Sequence, residues 1–355
     1  MASLIDKLKR NLLIVGTFGL AAACSDITKP VVKKPACDSA CQENRRLASL
    51  EGDLLPLDSL VTIRLETYDG SGQAVHPDGL VFPSLLNGWR YGMVVTPYPN
   101  SEGRDRFENP SFYVSNNFRY WTTVTDTTRN PIARPSENTH LSDNSILFDT
   151  QINGLRVNYR ETFPNVEDRV YTKTSTNGGI SWSESRLMLR GQEFEFISPT
   201  LVDRRMWYID AHEGCNSTTT TLKERISQNG EDFSEATLDS LVQPNYVPWH
   251  INIDYIESLQ KYVGLLAAYP ANSAYSSGCL LTDLFLITSE DGRHWTTYQN
   301  PLMRNTYESA IMNYENNNNI TIMYSIIERP FGEYSLAVGR HNWQDLLSRV
   351  GSPNP

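Results

Sequence analysis

The chain has 355 residues, with 31 Lys and Arg against 41 Asp and Glu and a net charge of −10. Because there is no basic excess to displace counterions from phosphates, this balance argues against nucleic acid as a partner. Apolar residues make up 39% of the chain, and 12 Phe, 7 Trp and 18 Tyr give enough bulk for a large core, so most of the chain is not disordered. The prominence of Tyr, Trp, Thr, Asn and Gly predicts strands and turns.

The first 24 residues have the layout of an export signal. A basic start (Lys7, Lys9, Arg10) precedes an apolar stretch, 11–23, that is too short for a membrane-spanning helix. The run Leu20-Ala21-Ala22-Ala23-Cys24 resembles a bacterial lipoprotein signal, which implies lipid on Cys24, contact with a membrane through that lipid, and a place in the cell envelope at the outer membrane or surface. Ordinary signal-peptidase cleavage and an uncleaved anchor are the alternatives. Residues 25–56 then read as a tether with one short helix.

Five segments from residue 57 onward share one pattern, in which a polar residue opens a short apolar strand and a second strand rich in aromatic residues follows. The openings are His76–Phe82, Leu141–Phe148, Ile197–Val202, Trp249–Asp254 and Tyr307–Met312. A third strand then ends in a Ser-x-Asn or Ser-x-Asp turn followed by an aromatic residue. These turns are 115–121, 175–182, 227–233 and 289–295, and Trp343 stands roughly where a fifth is due.

Repeats of about 50–60 residues, each a small antiparallel sheet, predict a β-propeller, because one blade cannot bury its faces alone. We therefore expect an all-β fold of five four-stranded antiparallel blades over residues 57–345, with 346–355 as a tail. Too little chain follows Trp343 for a fourth strand in the last blade. The spare strand Leu60–Leu65 is expected to complete that blade and close the ring.

The turns carry a resemblance to a known group. Ser-x-Asp-x-Gly-x-x-Trp is the Asp-box (BNR repeat) of sialidases and related propellers, and the turns 175–182 and 289–295 resemble it. The inner strands that begin with Asp78, Asp143 and Glu308 look like those of five-bladed glycosidases that cleave arabinans, fructans and mannosides. Sialidase activity itself is disfavoured, because the chain lacks an Arg-Ile-Pro motif and has five repeats where sialidases have six.

The innermost strands of a propeller line its central funnel, so the residues that open them are expected to share one pocket. Glycoside hydrolysis needs two carboxyl groups about 5–5.5 Å or about 6.5–9.5 Å apart. By the resemblance, Asp78 is the base or nucleophile and Asp143 tunes its pKa. The family's acid position holds Ser198, so Glu308 is taken as the acid and Asp254 as the second candidate. The substrate-binding candidates are His76, His250, Trp249, Arg160 and Tyr98.

Structural roles remain open for each of these residues. Asp78 and Asp143 lie in turn-like sequences, the two histidines could be satisfied core residues, and Trp249 could pack between blades. The Cys and His spacing contains no zinc motif, so no structural metal and no cofactor are expected, with a cation in the funnel left open. Cys215 and Cys279 occupy similar places in neighbouring repeats and are predicted to form a disulfide. Cys37 and Cys41 are candidates for a second, local pair.

The sequence thus predicts an exported, lipid-anchored, carbohydrate-active propeller. The first hypothesis is an exo-glycosidase that uses carboxylates in the funnel. The second is a non-catalytic surface protein that binds glycans or protein partners, because fold alone does not establish activity.

Overall fold

The structure is a computed structural model that describes residues 39–50, 55–100, 104–271, 281–315, 318–327 and 333–354. The α-helices within these ranges are α1 (Ser39–Ser49) and α2 (Trp343–Val350), and short 3-10 helices cover Arg104–Phe107, Gly214–Asn216 and Glu257–Leu259. None of the described helices is both long and apolar enough to cross a membrane. The signal segment, most of the tether, and Cys24, Cys37 and Cys279 lie outside the described residues.

Strands make up most of the described chain and are numbered in chain order. The first eleven are β1 (Leu60–Thr62), β2 (Arg64–Leu65), β3 (Ala74–Leu86), β4 (Trp89–Pro97), β5 (Ser111–Ser115), β6 (Tyr120–Trp121), β7 (His140–Asp149), β8 (Gly154–Phe163), β9 (Glu167–Ser175), β10 (Arg186–Gly191) and β11 (Ile197–Val202). The others are β12 (Arg205–Asp210), β13 (Thr221–Ile226), β14 (Thr237–Leu238), β15 (Tyr246–Ile256), β16 (Lys261–Pro270), β17 (Thr282–Ser289), β18 (Thr296–Thr297), β19 (Met303–Thr306), β20 (Ala310–Glu315), β21 (Asn319–Ile327) and β22 (Tyr334–Asn342).

The strands form consecutive antiparallel sheets, but these are not five equal sheets of four. β3-β4-β5 is a three-stranded sheet, and β7-β8-β9-β10 and β11-β12-β13-β14 have four strands each. The remaining large sheet has nine strands, because β19 pairs with both β17 and β21 and so joins β15-β16-β17 to β20-β21-β22. The expected four-stranded pattern is therefore present in two sheets and altered elsewhere.

The predicted 60–65 strand is split between two sheets. β1 pairs antiparallel with β22, with Leu60 opposite Gly339 and Thr62 opposite Ala337. β2 instead pairs in parallel with β6. The amino-terminal strand thus extends the sheet of the last repeat.

The expected fifth turn at Trp343 is a helix. Trp343 is the first residue of α2, and the side chain of Asn342 caps the helix by accepting hydrogen bonds from the backbone N–H groups of Gln344 and Asp345. Asn is a favoured N-cap residue because its side-chain oxygen satisfies N–H groups that the first turn leaves free. Trp343 is thus the buried first residue of a helix, at the place where the Ser-x-Asp turn of the other repeats has eroded in the sequence.

The turn at 289–295 illustrates how these turns hold neighbouring sheets together. The Ser289 hydroxyl accepts the Gly292 N–H at 2.8 Å, and the Asp291 carboxylate accepts the Arg293 N–H at 2.8 Å. Gly292 has a φ of +76°, which glycine adopts without steric cost. Its carbonyl accepts a hydrogen bond from the indole of Trp207 in the preceding repeat at 2.9 Å.

The five predicted inner strands are β3, β7, β11, β15 and β20. β3 contacts β7, β7 contacts β11, β11 contacts β15, β15 contacts β20, and β20 contacts β3. The apolar core is divided into clusters between successive sheets. One joins Phe112 and Val94 to Leu155 and Val157, for example. This packing brings the openings of the inner strands together, which places the candidate site.

Candidate metal centre

Three inner strands begin with the same irregularity. His76, Asp143 and Ser198 have φ values of 50°, 52° and 51°, and at each the pairing with the next strand shifts register. The left-handed region costs a residue with a side chain about 1–2 kcal/mol, and a β-bulge redirects the side chain at that point. A conformation this costly at three matching positions is typical of a functional site.

Four of the strand-opening residues meet in one group: His76, Asp143, His250 and Glu308. The side chains are at most 3% exposed, and one possible ligand atom of each lies within 4.8 Å of all the others. Asp143 Oδ1 is 3.3 Å from His76 Nε2 and 3.6 Å from His250 Nδ1. Glu308 Oε2 is 3.9 Å and 3.5 Å from the same two nitrogens. We call these four residues the His-Asp-His-Glu group.

The Thr96 hydroxyl lies between His76 and the Val75 carbonyl. It is 2.9 Å from His76 Nδ1 and 3.3 Å from the carbonyl oxygen, so it accepts from Nδ1 in the tautomer that carries the proton there. Burial lowers the pKa of His76 to about 4, so the ring is neutral at pH 7. In that tautomer His76 Nε2 has a lone pair, and it lies 3.3 Å from the Asp143 carboxylate without a hydrogen bond. Two acceptors this close favour a cation between them.

Asp143 is ionised because of Arg160. Burial opposes its ionisation, but the charge of the adjacent Arg160 guanidinium outweighs burial and lowers the pKa of Asp143 to about 2. Arg160 Nε is 2.6 Å from Asp143 Oδ2, and its Nη1 donates to Asp168 at 3.1 Å. Arg160 thus occupies one oxygen of Asp143 and leaves Oδ1 for the His-Asp-His-Glu group.

Ser198 connects the other two members of the group. Its hydroxyl is 2.7 Å from His250 Nδ1 and also hydrogen-bonds the Glu308 carboxyl. Burial, and then the charge of Asp143, raise the pKa of Glu308 well above its ordinary value. Burial also lowers the pKa of His250 well below its usual value. Burial therefore disfavours the charged forms of both Glu308 and His250, whereas Arg160 favours the charged form of Asp143.

The separations in the group fit a tetrahedral divalent metal. Zinc binds histidine nitrogen and carboxylate oxygen at about 2.0–2.2 Å, and tetrahedral geometry then separates neighbouring ligands by about 3.3–3.6 Å. Three of the four measured separations lie between 3.3 and 3.6 Å, and the fourth, from His76 to Glu308, is 3.9 Å. Two imidazoles with carboxylates suit zinc or a similar transition metal better than calcium or magnesium. No metal ligand was predicted from the sequence, although a cation in the funnel was left open.

Asp78 lies outside this group. Its carboxylate accepts three hydrogen bonds, from the N–H groups of Gly79 and Ile146 at 2.9 and 2.8 Å and from the Asn252 amide at 3.1 Å. Burial outweighs these donors and raises the pKa of Asp78 to about 7. These bonds link three inner strands, so the position suits a structural role and not the predicted base or nucleophile.

Asp254 borders a different space. A cavity of about 770 Å³ lies against later residues of the inner strands, and Asp254, Asn252 and Asp78 are among the residues that line it. No member of the His-Asp-His-Glu group lines this cavity. Burial raises the pKa of Asp254 to about 6. Its distance from the group along the strand makes it unsuitable as the second candidate acid.

The remaining predicted residues surround the group. Trp249 is 4% exposed and packs its edge against His250, so it has no open face for a sugar. Tyr98 is half-buried and packs on Tyr334, with ring centroids 5.0 Å apart. Arg160, predicted to bind substrate, is held between Asp143 and Asp168. Cys215 is described and half-buried, but its predicted partner Cys279 is not described, so that pairing stays a prediction.

Three residues that contact the group had no predicted role, Thr96, Ser198 and Tyr307, and neither had Asp168, which contacts Arg160 behind the group. Ser198 was visible in the sequence at the opening of the third inner strand, but only as a missing carboxylate. Asp168 and Thr96 lie on second and third strands, where sequence spacing gives no indication of which side chains turn inward. The matching positions of two histidines and two carboxylates were the available signal for a metal site.

Comparisons with known proteins identify the class of fold. No protein-family model matches the sequence. The A type blood N-acetyl-α-D-galactosamine deacetylase of Flavonifractor plautii is 23% identical over 271 residues, which are 63% of this chain and 34% of that protein. The chain thus spans about a third of the length of this curated relative.

Several solved structures share the fold at low sequence identity. A crystal structure of an N-acetylgalactosamine deacetylase from F. plautii in complex with blood group B trisaccharide has a TM-score of 0.67 and 18% identity, over 86% of this chain and 100% of that one. The α-L-arabinanase of Penicillium chrysogenum, complexed with arabinobiose, has a TM-score of 0.53 and 11% identity, over 81% and 99%. An α-L-arabinofuranosidase of Fusarium graminearum, in complex with arabinobiose, has a TM-score of 0.50 and 13% sequence identity, over 82% of this chain and 98% of that one. The chain is therefore an all-β protein similar to β-propellers.

Proposed function

We propose that this chain is a carbohydrate-active, metal-dependent hydrolase that removes the N-acetyl group from an amino sugar. The observation that carries the proposal is the His-Asp-His-Glu group, in which the bare Nε2 of His76 lies 3.3 Å from the ionised Asp143. The likeness to an N-acetyl-α-D-galactosamine deacetylase supports the choice of reaction and substrate class.

Two kinds of side chain would hold the metal: the ligands themselves and the residues that orient those ligands. His76, His250 and Asp143 would be the ligands, and Thr96 and Arg160 orient His76 and Asp143 through the hydrogen bond and ion pair described above. The Ser198 hydroxyl contacts His250 Nδ1, the nitrogen that faces the group, so a metal bound to Nδ1 would replace this hydrogen bond. A metal bound there supplies a Lewis acid for a carbonyl oxygen and lowers the pKa of water. Catalytic zinc sites keep three protein ligands and one open position. Because Glu308 lies 3.9 Å from His76, the longest of the four separations given above, it would be the residue that gives way to water or substrate.

Glycoside hydrolysis is the second candidate, favoured by the likeness to arabinan-cleaving enzymes. It requires carboxyl groups about 5–5.5 Å or about 6.5–9.5 Å apart with room for the sugar between them. The nearest oxygens of Asp143 and Glu308 lie within 4.8 Å, and the two histidines fill the space beside them. Asp78, the other predicted carboxylate, already accepts three N–H groups. These contacts favour the deacetylase.

The test measures both reactions on one preparation. The full chain, loaded with zinc, is incubated with N-acetylgalactosaminides and, separately, with aryl glycosides of arabinose and other sugars. We expect release of acetate and a free amine, and we expect that His250→Asn abolishes it. His294→Asn is the matched control, because His294 is 81% exposed and pairs only with Asp291 in its turn. Sugar release without acetate release would overturn the deacetylase in favour of the glycosidase, and binding without turnover would favour a glycan-binding protein.

We also propose five blades, closure of the ring by the amino-terminal strand, Asp-box turns, export with a lipid on Cys24, and the Cys215–Cys279 disulfide. Five blades are supported by the circular order of contacts among the inner strands, and closure of the ring by the pairing of β1 with β22. Descent of the turns from Asp-boxes is supported by their serine and Asp or Asn hydrogen bonds. Export, a lipid on Cys24 and the Cys215–Cys279 disulfide are supported by the sequence alone.

A further inference from the structure

Tyr307 packs against both histidines of the His-Asp-His-Glu group. Its ring centroid is 5.3 Å from that of His76 and 4.6 Å from that of His250. It directly precedes Glu308, and its backbone N–H donates to the Ser325 carbonyl at 2.9 Å, which fixes the main chain here. The ring therefore lies beside the metal ligands in a defined position.

The hydroxyl of Tyr307 differs from those of four tyrosines that are more deeply buried. Tyr113, Tyr159, Tyr269 and Tyr324 hydrogen-bond to Glu66, Ser185, Ser217 and His341, respectively. Enclosed tyrosines usually have such a partner. The Tyr307 hydroxyl has none among the described residues, and the side chain is half-buried, so its oxygen borders accessible space. An O–H donor next to the group is thus available to a ligand.

We infer that Tyr307 is a catalytic residue that donates a hydrogen bond from its phenol to the carbonyl oxygen of the substrate's N-acetyl group. The inference rests on the proposed function. Water adds to the amide carbon, negative charge collects on the carbonyl oxygen, and the C–N bond then breaks to release acetate and the protonated amine. Tyr307 keeps its proton throughout, because it stabilises the oxygen by hydrogen bonding alone.

The experiment compares Tyr307→Phe with Tyr314→Phe in the zinc-loaded chain. Phenylalanine keeps the ring contacts with both histidines, and Tyr314 is a matched control that lines the separate cavity. We measure kcat and KM for deacetylation, zinc affinity and the thermal midpoint. Loss of one donor to an oxyanion lowers kcat by about 10²–10³-fold. We expect this loss for Tyr307→Phe, with KM, zinc affinity and the midpoint nearly unchanged, and no loss for Tyr314→Phe.

The other possible results distinguish failure of the role of Tyr307 from failure of the proposed function. An unchanged kcat in Tyr307→Phe, with an active wild type, overturns the role of Tyr307 and leaves the proposed function intact. A lower zinc affinity or thermal midpoint that accounts for the lost activity makes Tyr307 a structural residue and overturns the inference. A zinc-loaded wild type that releases no acetate overturns the proposed function and this inference together.

Discussion

Arg160 and Asp168 form a buried ion pair, 3.1 Å long, directly behind Asp143. Arg160 Nε also lies 2.6 Å from Asp143, so one guanidinium contacts two fully buried carboxylates. Asp168 had no predicted role, although Arg160 is the cation that both buried acids share. This arrangement leads to the first prediction.

Replacing Arg160 with Gln should strongly destabilise the fold. Removing one partner of a buried ion pair typically costs about 3–5 kcal/mol, because the other charge stays buried without compensation. The measurement is the free energy of unfolding in urea. Arg190→Gln is the control, since Arg190 is 57% exposed and pairs with Glu167 at the surface, where such pairs are worth about 0–1 kcal/mol. Equal losses in the two variants would contradict the buried pairing.

Thr96→Val should weaken metal binding without unfolding the protein. Valine keeps the shape of threonine but removes the hydroxyl that holds His76 Nδ1, and loss of such an orienting contact typically lowers metal affinity about 10–100-fold. Zinc titration of the metal-free chain measures the effect. Thr172→Val also removes a buried hydroxyl, one that donates to the Val157 carbonyl, and should leave zinc affinity unchanged. Equal affinities in both variants would show that Thr96 does not orient His76.

Asp78→Asn should lower stability and leave the bound metal in place. Both carboxylate oxygens of Asp78 accept N–H groups, so an amide would turn its own NH₂ toward a donor. A buried N–H donor without a hydrogen-bond acceptor lowers the free energy of unfolding by about 1–3 kcal/mol. Urea unfolding and zinc content, measured on the same preparation, separate the two effects. Loss of zinc at unchanged stability would contradict the structural role of Asp78 and place it in the functional site, as predicted from the sequence.

Asp254→Asn should change how stability depends on pH. The pKa of Asp254 is raised from 3.8 to about 6 by burial, so the folded protein binds more protons than the unfolded chain within that window. The contribution of Asp254 to stability therefore falls as pH rises through the window and stays low above it. We expect Asp254→Asn to match the wild type below pH 4 and to exceed it at pH 7 by on the order of 1 kcal/mol.

The matched control for Asp254→Asn is Asp203→Asn, an exposed residue at the same cavity. Its unfolding curves should parallel those of the wild type at every pH. A constant difference between Asp254→Asn and the wild type from pH 4 to 7 would contradict the raised pKa.

The strand pattern and the convergence of the inner strands could be predicted from the sequence, because repeated turn residues and polar strand openings are local signals. His76, Asp143, His250 and Glu308 were named on that basis and lie together. The partition of the sheets could not be predicted, since β19 joins two repeats through pairings between residues distant in sequence.

The chemistry of the site was harder to predict than its position. Asp78 and Asp143 look alike in the sequence, but the bulges turn Asp143 toward the histidines while Asp78 accepts three N–H groups. Spacing alone does not indicate which of two neighbouring residues a bulge redirects. The carboxylates of the proposed metal site were therefore interpreted as a pair of glycosidase residues.

The central claim is that the His-Asp-His-Glu group binds a divalent metal. It is tested most directly by equilibrium dialysis of the tag-free, metal-free full chain against zinc, with bound zinc counted by elemental analysis. The wild type and His294→Asn should each bind one zinc ion per chain tightly, and His76→Ala and His250→Ala should lose it while remaining folded. Absence of tight zinc binding in the wild type, or zinc retained in both histidine-to-alanine variants, would contradict the account.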